Sequence, residues 1–165
     1  MSQSITSNDL TTAFVQFASG FDGLPARRRY LEAHPELLSQ PAIDAANAFI
    51  LDWRDRGFPQ ASLISLRLFR NLLQRAMAVG VGAACQEFDP APPAVVDAVA
   101  KFLRAGPGYD SFSALIGERP QLTSPHASGA FNFLRAKFED DPDQLRIIEA
   151  CWDAIGMFRD GATPH

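Results

Sequence analysis

The chain has 165 residues, 47% of them hydrophobic and 21% charged, which is typical of one globular domain or two small subdomains. Residues 1–85 carry eight arginines and seven acids, whereas residues 86–165 carry seven basic residues and twelve acids. The net charge is −4, and no basic cluster is longer than the three arginines at 27–29. This balance argues against nonspecific nucleic-acid binding.

Neither a secretory signal nor a membrane span is expected. No basic residue precedes Arg27, and no long apolar run lies near the N-terminus. The most apolar stretch, residues 61–83, holds three arginines, which makes a membrane span too costly. The two cysteines, Cys85 and Cys151, are too few for a disulfide framework or a thiolate metal site. We therefore expect a cytoplasmic protein with reduced thiols and no bound cofactor.

Helical periodicity begins at Ser7, where apolar residues follow at positions 10, 14 and 17, and Gly20 suits the C-terminal cap. Pro25 opens a short second helix, which must end near His34 because Pro35 follows. A third helix begins after Ser39 as N-cap and stops before Gly57. A fourth runs over 60–79 and is closed by Gly80 and Gly82.

The second half starts with a proline-rich linker at 86–93, followed by apolar periodicity around 95–103 and 112–116 and by helices over 125–138 and 142–158. No useful length of the chain alternates with the period-two pattern of strands. The predicted class is all-α, with antiparallel helix pairs stacked as a short helical-repeat array.

The two halves also resemble each other. Shifting the sequence by 85 residues over positions 9–51 gives nine identities, and an offset of 82 fits the following helix. We predict a duplicated four-helix unit at 1–85, a linker, and a second copy at 94–165, forming one compact domain in which stacking covers apolar surface that a lone unit would expose. The identities are Ala13/Ala98, Phe17/Phe102, Gly23/Gly108, Pro35/Pro120, Leu37/Leu122, Ser39/Ser124, Ala42/Ala127, Ala45/Ala130 and Asn47/Asn132.

The stretch RRRYLEAHPELLSQPAIDAANAFI resembles the R-x-x-L-E-x-H-P-E-L-L segments of bacterial tetratricopeptide-like helical repeats, which often stand beside CHAT domains. The resemblance covers residues 25–80, and the usual 34-residue period is not visible. It implies an α-helical scaffold for protein interaction and transfers no catalytic residue. The matching positions are Arg28, Leu31, Glu32, His34, Pro35, Glu36, Leu37 and Leu38.

Seven residues are candidates for partner binding. Arg27, Arg28 and Arg29 could grip a carboxylate or phosphate, or could instead pair with acids of the second half or be solvated. Arg67 and Arg70 lie on a basic stripe of the fourth helix, where acids of the third helix are alternative partners. The large aromatic residues Trp53 and Trp152 could anchor an interface or fill the core.

No residue is assigned a catalytic or metal-binding role. His34 lies between two glutamates, but its place at a helix end favours a structural cation. His126 and His165 have no second ligand at metal spacing. Cys151 reads as an inert core thiol, whereas Cys85 is placed in an exposed linker.

These patterns favour a non-enzymatic adaptor or accessory protein that binds a protein or peptide. The charge asymmetry also allows a homo-oligomer. One alternative is a small-ligand or lipid binder with a Phe-lined cavity. Another is an enzyme whose site lies at the junction of the two units.

Overall fold

The computed structural model describes residues 5–105, 122, 124 and 126–159, and over this part of the chain the predicted all-α class is confirmed. The chain divides into two compact units, Met1–Gln86 and Glu87–His165. The predicted helical segment at 112–116 lies outside the described residues, as does His165. The described helices are α1 (Ser7–Ser19), α2 (Leu24–Ala33), α3 (Gln40–Asp55), α4 (Gln60–Val79), α5 (Val81–Glu87), α6 (Pro93–Ala105), α7 (Ala127–Lys137) and α8 (Pro142–Arg159), with a 3-10 turn at Pro35–Leu37.

Side chains that satisfy free backbone groups mark the helix starts in unit 1. Thr6 and Asp9 form a capping box at α1: the Asp9 amide donates to the Thr6 hydroxyl, and the Thr6 amide donates to the Asp9 carboxylate. Ser39 caps α3 by accepting from the Ala42 amide. The predicted starts of these two helices are confirmed.

In unit 1, α1 packs against α3 and α4, and α2 with the 3-10 turn covers one end. Phe17 is fully buried and meets the edge of the Phe69 ring at a centroid distance of 5.7 Å. The other fully buried side chains include Phe14, Leu31, Leu37, Ile43, Leu72 and Leu73.

The helix α5 was not predicted. The sequence predicts a fourth helix that ends at Gly80 and Gly82 and places Cys85 in an exposed linker. Gly80 takes a φ of +95°, which turns the backbone into a new helix. A Cβ at Gly82 would lie 3.2 Å from Arg28 Nη2, so α5 approaches the α2 side chain closely at this point. Cys85 is therefore buried, and desolvation raises the pKa of its thiol.

In unit 2, α6 packs against α7 and α8 around an apolar core. Cys151 is buried in this core, so its predicted place is confirmed, and desolvation raises the pKa of its thiol to about 11. The fully buried core side chains include Val99, Phe102, Leu122, Phe131 and Ile155.

Residues that the two sequence offsets pair with each other are buried to the same extent at several positions. Phe17 and Phe102 are both fully buried, as are Leu37 and Leu122, and Leu73 and Ile155 likewise. The helix starts of α1, α3 and α4 also fall within two residues of those of α6, α7 and α8 once the offsets are applied. This agreement is in line with the duplication, which stays a prediction.

The segment that leads into α6 is held on α7. The Asn132 side chain donates from Nδ2 to the Glu87 carbonyl oxygen at 3.0 Å. At Gly129 the approach is closer still, because a Cβ there would lie 2.0 Å from the Asp89 carbonyl oxygen. Only a glycine leaves room for this backbone on the surface of α7.

Replacing Gly129 by alanine should therefore destabilise the protein, by about 1 to 3 kcal/mol, since backbone atoms must move to admit the methyl group. Gly156→Ala is the matched control. Among the described residues, no atom beyond the chain neighbours and the backbone of the helix itself lies within 4 Å of a Cβ at Gly156, so alanine should stabilise α8 by about 0.5 to 1 kcal/mol. Urea unfolding measures the change in the free energy of unfolding for both variants. Equal changes at the two glycines would contradict the close contact at Gly129.

Candidate functional site

The three consecutive arginines of α2 lie in three different environments. Arg27 donates from Nε and Nη2 to the carbonyl oxygens of Phe17 and Ala18, at 3.0 and 2.9 Å, and its guanidinium lies 4.1 Å from the centre of the Phe69 ring. Arg28 forms an exposed ion pair with Glu32, and Arg29 is exposed. Arg27 thus satisfies the last carbonyls of α1, which no backbone amide can reach.

The two predicted arginines of α4 are buried. Arg67 is only 2% exposed and Arg70 is 8% exposed. Arg70 donates from Nη1 to Asn47 Oδ1 at 3.1 Å, and from Nη2 to Asn71 Oδ1 at 2.8 Å. The Arg70 guanidinium therefore links α4 to α3 and holds the Asn47 side chain in one orientation.

Trp53 belongs to an aromatic cluster at the end of α3. Its ring is half-buried, stacks on Phe58 at a centroid distance of 4.1 Å and lies 5.2 Å from the Phe49 ring. Phe58 is 39% exposed and Leu51 is 48% exposed. One large apolar side chain, Leu51, is thus accessible on α3, and another, Phe58, just after it.

The solvent side of α3 carries a second feature, which we call the outer stripe. It consists of Asp44, Ala48, Leu51 and Asp55, which are spaced at i, i+4, i+7 and i+11 and are all exposed. Asn47 is half-buried at the edge of this stripe. An apolar centre flanked by carboxylates therefore lies next to an oriented side-chain amide.

Trp152 lies in unit 2, with its ring 5.0 Å from that of Phe131 and 5.4 Å from the Arg135 guanidinium. Arg135 also forms an ion pair with Glu149 and donates from Nη1 to Asn132 Oδ1 at 2.8 Å. These contacts of Arg135 form a network with Asn132, whose Nδ2 donates a hydrogen bond to the Glu87 carbonyl oxygen. Trp152 helps to position this network and packs on the unit 2 core.

Asn47 and Asn132 were not among the residues that the sequence singled out. A sequence feature did point to them, because the pair Asn47 and Asn132 is one of the nine identities between the two halves. An asparagine at the same place in two helices needs a reason, since the residue is a poor helix former. Here each oxygen accepts from an arginine, and this shared bond is visible only in three dimensions.

The histidines have local roles. The His34 ring stacks on Tyr30, and its Nδ1 lies 2.9 Å from Glu36 Oε1, a hydrogen bond that lowers the pKa of Glu36. His126 is exposed just before α7. Within the described ranges, no cluster of three or more His, Cys, Asp or Glu side chains is placed to hold a metal ion, and no helix has the length and apolarity needed to cross a membrane.

The chain matches no family model, no curated protein and no solved structure. The tetratricopeptide-like scaffold stays a prediction from the HPELL stretch.

Replacing Arg27 by alanine should lower the free energy of unfolding by about 1 to 3 kcal/mol, because two charge-assisted hydrogen bonds and the contact with Phe69 are lost. Arg29→Ala is the control, since the exposed Arg29 should contribute no more than about 0.5 kcal/mol. Chemical denaturation measures both. Equal stability of the two variants would show that the Arg27 contacts do not support α1.

Proposed function

We propose that the chain is a non-enzymatic adaptor that binds a protein or peptide partner through α3 of unit 1. The observation that carries the proposal is the exposure of two large apolar side chains, Leu51 on the outer stripe of α3 and Phe58 just after the helix, where Phe58 stacks on the half-buried Trp53. Tryptophan and other aromatic residues are enriched at the centres of protein interfaces, where they bury much area at little entropic cost.

The charges around this apolar group suit an interface rim. Asp52 and Arg56 form an ion pair one helical turn apart, and Arg54 lies 3.6 Å from Asp55. All four side chains are about half or more exposed, so they are solvated while the apolar centre is available for contact. A polar rim around an apolar centre is the usual plan of a protein-binding surface.

Arg70 and the half-buried Arg27 support the same surface from behind. Arg70 orients Asn47 at the edge of the outer stripe, and Arg27 fixes the end of α1, which packs against α3. On this proposal they act on binding through positioning, and the contact itself is made by α3 and by Phe58 just after it. We place the protein in the cytoplasm as part of the proposal.

The double variant Leu51→Gln, Phe58→Ser tests the proposal by capture of partners from an extract of the source cells. Loss of two central apolar contacts should reduce recovery of the partner about tenfold or more, since interface anchors commonly contribute more than one factor of ten in affinity. Quantitative mass spectrometry measures recovery relative to wild type.

Met77→Gln is the matched control, because Met77 is exposed to a similar extent on α4 of the same unit. It should capture the partner as wild type does. Equal recovery by all three proteins, or no protein retained by wild type, would contradict the assignment of α3 as the binding surface. Thermal melts establish that each variant is folded.

A further inference from the structure

We propose that α3 binds the C-terminal end of a helix of the partner, where a free terminal carbonyl accepts from the Asn47 amide. A basic side chain in the last turn of that helix pairs with Asp44, and an apolar side chain contacts Leu51. The inference rests on the proposed function, because it names the part of the partner that meets the same surface. It is drawn from a comparison of Asn47 with Asn132, which already caps the end of a helix.

In unit 2, an asparagine held by an arginine satisfies the last carbonyl of a helix. Glu87 is the last residue of α5, and residues 88 and 89 form a turn and a bend. The last four carbonyls of a helix have no amide partner within it, and Asn132 Nδ2 donates to the Glu87 carbonyl oxygen at 3.0 Å. Asn132 Oδ1 accepts from Arg135 Nη1 at 2.8 Å, so the amide is fixed with its donor toward the helix end.

Asn47 has the same bond at its oxygen. Its Oδ1 accepts from Arg70 Nη1 at 3.1 Å, and since an arginine can only donate, the orientation of the amide is determined. Among the residues that the structure describes, Asn47 Nδ2 donates to none. The half-buried amide therefore offers a donor of fixed direction at the edge of the outer stripe.

A donor of this kind selects one part of a partner helix. Along the middle of an α-helix every carbonyl accepts from the amide four residues further on, and at the N-terminus the free groups are amides. Only the C-terminal turn presents carbonyl oxygens that need a donor. The Arg70 cation behind the amide adds charge complementarity, because a helix carries partial negative charge at its C-terminus.

The arginine that fixes the amide comes from a different helix in each unit. In unit 1 it is Arg70 of α4, and in unit 2 it is Arg135 of α7. The two sequence offsets place Trp152 opposite Arg70 and Ile50 opposite Arg135, so an arginine and an apolar residue have exchanged places. Two different constructions end in the same hydrogen bond, which supports a common use for the oriented amide.

The differences between the two helices define the last turn of the partner. Gly129 lets the chain that follows α5 cross α7 in close contact with its backbone. Asp44 lies three residues before Asn47, where α7 has Gly129, so no partner backbone can approach α3 as closely there. Its exposed carboxylate instead suits a lysine or arginine, which commonly occupy the last turn of a helix. Leu51 replaces the buried Ala136, and its exposed side chain offers an apolar contact.

Stapled helical peptides of about four turns test this inference. Each carries one leucine and one lysine in its last two turns, in varied order, and ends in glycine with a C-terminal amide. Fluorescence anisotropy gives the affinity for wild type and for Asn47→Asp. This variant keeps an acceptor for Arg70 but has no donor, so the affinity for the best peptide should fall about tenfold, as expected for a hydrogen bond left unmade.

Asn71→Asp is the matched control. Asn71 also accepts from Arg70, so the variant makes the same change of charge beside the same guanidinium, but on α4. It should bind the best peptide within about twofold of wild type. Asp44→Lys should reverse the preference of the protein from peptides with lysine in the last turn to peptides with glutamate there.

A longer peptide separates recognition of a helix end from recognition of a helix side, and it needs no variant of the protein. Extending the best peptide by about two helical turns of alanine keeps the leucine and lysine but pairs the formerly free carbonyls with new amides. The affinity for wild type should fall about tenfold. For Asn47→Asp, which has lost the donor, the extension should change the affinity by less than about twofold.

The inference is overturned if either Asn47→Asp or the extension leaves the affinity unchanged, or if wild type binds none of the peptides while partner capture still depends on Leu51 and Phe58. In the latter case the proposed function stands and only the assignment of a helix end is wrong. If capture is also independent of these two residues, both proposals fail. A dimer in sedimentation velocity that Leu51→Gln dissociates would assign the surface to a second copy of the chain and overturn the assignment to a partner helix.

Discussion

A side-chain amide offers its donor in one defined direction only when its oxygen is held, and an arginine guanidinium holds it in both units of this protein. Arg70 fixes Asn47, and Arg135 fixes Asn132. The cost of burying a cation such as Arg70 is offset by hydrogen bonds to two asparagines. Without that constraint the Asn47 amide could rotate, and α3 would lack a fixed polar group at the edge of its outer stripe.

The structure gives the arginines of the first half a different role from the predicted one. In the sequence analysis, Arg27 and Arg70 are candidates for binding a partner. In the folded chain Arg27 closes the end of α1 and Arg70 joins α4 to α3. A guanidinium has five donors in a rigid plane, and this geometry suits it to bridge carbonyl and amide oxygens inside a small helical unit.

Much of the fold could be predicted from local signals. Thr6, Ser39 and Gly20 mark helix ends through hydrogen bonds within one turn, and those ends occur where they were predicted. The short helix α5 could not be predicted, because its seven residues begin directly after Gly80 and include Gly82, and the helix lies close to Arg28, a contact distant in sequence. The role of Asn47 was hidden for the same reason, since its partner is 23 residues away.

The most direct test of the account is hydrogen exchange of the side-chain amides of Asn47 and Asn132, measured by NMR on the free protein. The account predicts that the Asn132 amide is protected, because Nδ2 donates to the Glu87 carbonyl, whereas the Asn47 amide exchanges readily. Equal protection of both amides would mean that the Asn47 donor is already bound within the chain. The Asn47 donor would then be unavailable to a partner on α3.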